Sequence, residues 1–287
     1  MTSPTWPSGL PENFGGLDEE FAALDRARAV ILPAPYDFST SYQGGARLGP
    51  RAILAASRNM ELWDDEVGAV YRHGIHTLPE LEPTAEGPHA MAARVEQAIE
   101  WILRQKKLPV LLGGEHSLTA GAVRAAARHV EGLSVLQMMR RVRELVPAAS
   151  VGIRSLSEEE AEYLEAHPAP MWSTREFRAL GGRWDPILQA LTDRVYVTID
   201  VDGLDPSQVP ATGTPEPGGL DWYELVDMLR AVAQHTRIVG FDVVELAPLP
   251  GQVASDFLAA RLVYRTIGLC FGSSRASSAA RTLESRA

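Results

Sequence analysis

A single cysteine, Cys270, in 287 residues excludes an intramolecular disulfide framework, and its setting (YRTIGLCF) reads as a buried helix rather than a reactive site. A reducing compartment follows from that usage. No apolar run reaches the ~18 residues of a membrane span, and the opening MTSPTWPSGLPENFGG has neither the basic nor the apolar region of a secretory signal. The expected location is therefore the cytoplasm. Cations are in deficit: 27 Lys plus Arg stand against 37 Asp plus Glu, for a net charge of −10 and a pI near 5.2. That sign excludes a nucleic-acid surface and leaves either ordinary solubility or cationic partners.

What is present is a chain long enough for a sizeable core, with apolar residues at 45% and charged residues at 22%. Residues 1–16 and 272–287 are rich in Pro, Gly and Ser and read as an extension and a tail around one domain, 17–271. Inside it, short apolar runs alternate with segments of helical period. The runs are AVIL at Ala29–Leu32, LPVLL at Leu108–Leu112, LSVL at Leu133–Leu136, ASVGI at Ala149–Ile153, VYVTI at Val195–Ile199 and IVGFDVV at Ile238–Val244. Two-sided hydrophobicity suits parallel strands covered on both faces. Helices are expected over 86–105 and 256–271, and after the capping-box pairs Ser157/Glu160 and Asp221/Glu224. Strand–helix alternation predicts an α/β fold of three layers, α/β/α, around a mainly parallel sheet.

Functional residues in such a sheet collect at the carboxyl ends of the strands. Gly113-Gly114-Glu115-His116 follows LPVLL, Asp200 and Asp202 end VYVTI, and Glu245 ends IVGFDVV. In an extended strand Asp200 and Asp202 project from one face, and two buried anions there call for a compensating cation. The alternative is that both acids cap the next turn, which Asp205-Pro206 continues. His116 is either a ligand or a cap for the helix that follows. With the two carboxylates it gives a mixed N/O set suited to Mn²⁺. His73 and His76 read as ordinary loop residues, because Gly74 breaks any helix that would align them.

The segments GGEHS (Gly113–Ser117), TIDVDGLDPSQVPATGTPEPGGL (Thr198–Leu220) and DVVELAP (Asp242–Pro248) resemble the ureohydrolase family of arginases, agmatinases and relatives. PYDFSTSYQGGARLGPRAI (Pro35–Ile53) is similar to the agmatinase type. The resemblance implies an arginase-like fold and hydrolysis of a small guanidino compound to urea and an amine by two Mn²⁺ ions. It also implies a cytoplasmic homo-oligomer, a trimer or hexamer. Residue by residue, it makes His116, Asp200 and Asp202 metal ligands and Glu245 the acid that receives the guanidinium. Thr212 and Thr214 shape the pocket wall through backbone contacts, or else belong to a structural turn. Agmatine, guanidinobutyrate, guanidinopropionate and arginine all remain open as substrates.

One family signature is missing. Ureohydrolases carry Asp-Ala-His-x-Asp where LSVLQ ends, then a loop with a catalytic histidine, whereas this chain runs from Gln137 straight into MMRRVREL. That composition is helix-forming and offers no turn residues. Either a segment has been omitted here, or a deletion has produced a non-catalytic homologue kept as scaffold or regulatory subunit. The sequence as written offers ligands for at most one weakly held ion.

Overall fold

The computed structural model describes residues 9–40, 42–137 and 145–272. Eight strands form one sheet: β1 (Ala29–Ala34), β2 (Ile75–Thr77), β3 (Leu108–Gly113), β4 (Leu133–Gln137), β5 (Ala148–Ile153), β6 (Met171–Ser173), β7 (Arg194–Asp200) and β8 (Arg237–Val244). Their order is β2-β1-β3-β8-β7-β4-β5-β6. Every pairing is parallel.

Alternation within the strands explains the layers. In β1, Val30 and Leu32 join a cluster with Met91, Val95, Ile99 and Ile102 of the helix Pro88–Arg104 and with Ala122 and Val123 of the helix Thr119–His129. Ala29 and Ile31 point the other way, into a cluster built with Ile53, Leu225, Leu229, Leu262 and Val263. That second cluster draws in the helices Gly49–Ser57, Trp222–His235 and Ala254–Phe271. Both faces are thus dry, the condition under which a parallel sheet is stable. Both expected capping boxes are formed, on the helices that begin at Glu158 and Trp222.

One boundary differs from the expectation. Phe14 is fully buried in the larger cluster, and the Gly15 N–H donates to Ser57 Oγ at 2.9 Å. The ordered body therefore takes in Phe14–Gly16, which Pro/Gly composition had placed in the extension. The tail after Gly272 lies outside the described residues. Among the described residues no helix is long and apolar enough to cross a membrane.

After β3 the chain crosses to the other half of the sheet to build β4, β5 and β6, and β7 and β8 then fill the centre. The register sets Asp200 opposite Val244 and Leu112 opposite Val243, so β3, β8 and β7 finish level with one another. Only residues 138–147 join β4 to its parallel neighbour β5, whereas a parallel crossover ordinarily needs a dozen or more.

The two helices on the smaller cluster's side cross closely at Gly121, where a methyl group would run into the Ala92 carbonyl. Alanine at an interior helix position gains about 1 kcal/mol over glycine by propensity. Backbone overlap costs more, about 1–3 kcal/mol net for an overpacked site. Gly121→Ala is therefore expected to lower the unfolding free energy in urea titrations, and a gain would show that the two helices separate freely.

Candidate active site

Three neighbouring strands deliver the polar residues. His116 opens the turn His116–Leu118 beyond β3, Asp200 closes β7, and Glu245 follows β8. His116 Nδ1 lies 2.9 Å from Asp200 Oδ2, and its Nε2 lies 3.0 Å from Thr198 Oγ1. Thr198 in turn donates to Asp242, a fully buried carboxylate that also accepts the Tyr196 hydroxyl at 3.1 Å. The imidazole is therefore fixed from both ring nitrogens.

Asp202 does not sit in the strand. Strand β7 ends at Asp200, and Val201–Gly203 form a single 3-10 turn whose Asp202 N–H donates to Asp200 Oδ1 at 2.8 Å. The idea of two carboxylates on one strand face is corrected accordingly: Asp200 caps the turn that carries Asp202. Thr214 Oγ1 donates to Asp202 Oδ2, while Asp202 Oδ1 is buried and finds no hydrogen-bond donor among the described residues.

Glu245 adopts a left-handed backbone conformation (φ 66°), which costs a non-glycine residue about 1–2 kcal/mol. Neighbouring groups hold it there. Its N–H donates to the Gly114 carbonyl at 2.8 Å, its carbonyl accepts Thr212 Oγ1 at 3.1 Å, and its Oε1 accepts the His116 N–H at 2.6 Å. Thr212 thus acts through its side chain on the backbone of Glu245, and it does not line the cavity. Gly213 and Thr214 do.

The cavity over these residues measures about 430 Å³. Glu115, Glu160, Asp202, Glu216 and Glu245 line it, against Arg154 and His116. Arg154 donates to the carbonyls of Gly152, Gly203, Asp202 and Glu216, so its guanidinium is committed to clamping two loops. Glu115 is buried and binds the N–H and hydroxyl of Ser39 at 2.6 and 2.8 Å, which ties the segment before Gln43 to the rim. The sequence reading quoted Glu115 inside GGEHS without giving it work and passed over Arg154 altogether. A buried acid beside the Gly-Gly pair was the available signal for the first, while the second had none. His73 and His76 lie elsewhere, beside Arg28 and on the Ala22 carbonyl.

Burial raises Asp200 and Asp202 to about 7 and Glu245 to about 8, and repulsion from Asp200 adds to the shift of the other two. Such a cluster is suited to receiving positive charge. One imidazole and two carboxylates are appropriate chemistry for a divalent ion, but His116 and Asp200 pair directly with each other. Among the described residues no group of three or more His, Cys, Asp or Glu side chains converges to hold one. These residues alone do not fit a metal centre.

A family model described as "Arginase family" matches residues 27–140 and 137–268. The chain belongs to the arginase family. Relatives of this ureohydrolase include the N(1)-aminopropylagmatine ureohydrolases of Synechocystis (36% identical, covering 93% of this chain and 97% of the relative) and of Thermus thermophilus (37%, covering 88% and 93%). Agmatinase from Pyrococcus horikoshii is 29% identical over 89% of this chain and 97% of its own. The agmatine ureohydrolase of Thermoplasma volcanium superposes with a TM-score of 0.82 at 27% identity, covering 91% of this chain and 94% of the other. By relationship the chain is thus an agmatinase-like amidinohydrolase with the arginase-like fold.

A carboxyl whose pKa is higher in the fold than in the unfolded chain stabilises the fold fully below its unfolded pKa, and that contribution is lost as pH rises through the folded value. For Asp200 the window runs from about pH 4 to about pH 7. In EDTA, Asp200→Asn is expected to gain stability relative to the wild type as pH rises across that window, read by urea unfolding at pH 5 and pH 8. Parallel pH dependence in the two proteins would remove Asp200 as the source.

Proposed function

We propose that this site takes a small guanidino compound with an aliphatic amine tail, agmatine or a longer homologue, and that the full family chemistry at it yields urea and an amine. The observation that carries the reading is Glu245. Its strained backbone and the His116 N–H fix one carboxylate oxygen, and its side chain lines a cavity dominated by acids. A planar cation with paired N–H donors is well matched by such a carboxylate. Glu216 and Glu160, also on the cavity wall, suit the distal ammonium of the same ligand.

Hydrolysis requires water to add to the guanidino carbon, the C–N bond to the alkyl chain to break, and a proton to reach the departing nitrogen. In the manganese-dependent reading, Mn²⁺ would supply acidified water at neutral pH. The family resemblance gives His116, Asp200 and Asp202 to such an ion, a set that alone does not complete its site. The reading extends to a cytoplasmic homo-oligomer, a trimer or hexamer, acting in polyamine metabolism. The activities for which the relatives are named support the substrate class.

Agmatine is expected to raise the unfolding temperature, because a ligand that binds only the folded state stabilises it. 1,4-Diaminobutane, which lacks the guanidinium, should do so much less. Measured at about pH 9, where Glu245 is ionised, Glu245→Gln keeps the shape and loses the charge, so it should lose most of the agmatine shift. An undiminished shift in that variant would take the guanidinium away from Glu245.

A further inference from the structure

We propose that this 287-residue chain binds guanidino compounds without hydrolysing them, because it keeps the substrate side of the site and lacks part of the cation-holding side. The proposal rests on the substrate reading above.

The gap in the chain falls at the site itself. Strand β4 lies beside β7 with Gln137 opposite Thr198, two residues short of the level of Asp200, at the point where the chain enters residues 138–147. That is where a further ligand for a cation shared with Asp200 would have to come from. Residues 138–147, MMRRVRELVP, contain no His, no Asp and no Cys, and their one acid is Glu144. Helix-forming residues begin at once, and the crossover to β5 is shorter than a parallel connection ordinarily requires.

One comparison locates a break at this point, and a second shows that a relative carries additional internal residues. The family model matches in two pieces that meet at residues 137–140 rather than in one. The alignment to the Synechocystis relative runs over 299 positions, more than the 287 residues of this chain, so that relative carries internal residues with no counterpart here.

The side chains that remain behave as an incomplete centre. His116 and Asp200 satisfy each other, and among the described residues neither the buried Asp202 Oδ1 nor the buried Gln137 Oε1, whose Nε2 donates to Ser150 Oγ at 2.9 Å, finds a donor. The substrate side is whole by contrast. Glu245, Thr212, Thr214 and Arg154 are engaged by hydrogen bonds that owe nothing to residues 138–147. A guanidinium can be held here while water has nothing to make it nucleophilic at neutral pH.

The test compares the chain as written with a chimera that carries, after Gln137, the internal segment of the Synechocystis relative. Both are titrated with agmatine by calorimetry and assayed for urea in Mn²⁺. Agmatine binding by both, with urea release at least about 100-fold lower in the 287-residue chain, supports the proposal. Comparable urea release by both overturns it and leaves the substrate reading standing. No agmatine binding by the shorter chain overturns the substrate reading and the proposal with it. Manganese stoichiometry of the shorter chain, counted by electron paramagnetic resonance, keeps the idea falsifiable if the chimera fails to fold. Fewer than two tightly held ions per chain is expected, and two would overturn it.

Discussion

Crowded negative charge at the level ends of β3, β8 and β7 is the constraint around which this site is organised. Burial raises the affinity of Asp200, Asp202 and Glu245 for protons, the charge of Asp200 adds to it at the other two, and the buried Asp242 adds to it at Asp200. Such an arrangement costs stability, because each carboxylate is desolvated in the company of like charge. The structure offsets the cost locally. His116 stands against Asp200, the Asp202 N–H turns onto Asp200, Thr214 takes one oxygen of Asp202, and the His116 N–H takes one oxygen of Glu245. What these contacts leave over is unmet demand for positive charge in a cavity open to a ligand.

The same constraint explains the backbone geometry. Glu245 would escape its left-handed conformation if the strand simply continued, yet its N–H is tied to Gly114 and its carbonyl to Thr212. Gly114 is required for that tie in another sense. Its own N–H donates to Ala34 and that of Glu115 donates to Tyr36, and a methyl at Gly114 would overlap the Tyr36 carbonyl. The Gly-Gly pair therefore lets three chain segments meet at backbone distance, and Glu115 then fastens the segment at Ser39 over the cavity. Strain at Glu245 is sustained by contacts that over-determine it, as expected for a residue held ready for a ligand.

Much of this was legible in the sequence, and the failures have physical causes. Runs such as AVIL and VYVTI announced strands because a parallel sheet buried on both faces leaves no polar alternation to confuse with a loop. The capping boxes at Ser157 and Asp221 were readable because the N-cap and the N3 residue satisfy each other within four positions. Asp202 was misplaced because periodicity does not show where a strand stops, and the turn at Val201–Gly203 is closed by the side chain of Asp200. Phe14 was missed because Pro/Gly composition describes flexibility in the unfolded chain and says nothing about a single aromatic with a hole to fill. Arg154 was invisible for a different reason. Its partners are four carbonyls, three of them distant in sequence, and backbone acceptors leave no residue-type signature.

The fold and the site are built from different parts of the chain. The core consists of two apolar clusters on either face of the sheet, and the strands and helices that form them lie outside residues 138–144. Loops at the carboxyl ends carry function on a scaffold that does not need them, and closing a shorter loop changes the entropy of the chain only slowly with length. A segment that leaves and re-enters at the end of β4 can therefore be absent while β4 still pairs with β5 and β7 in register. The similarity of this chain to agmatine ureohydrolases in shape reports on the clusters, whereas catalysis depends on donors gathered at a few strand ends. Family membership is consequently carried by the core, whereas the proposed loss of hydrolysis concerns only what is gathered at the strand ends.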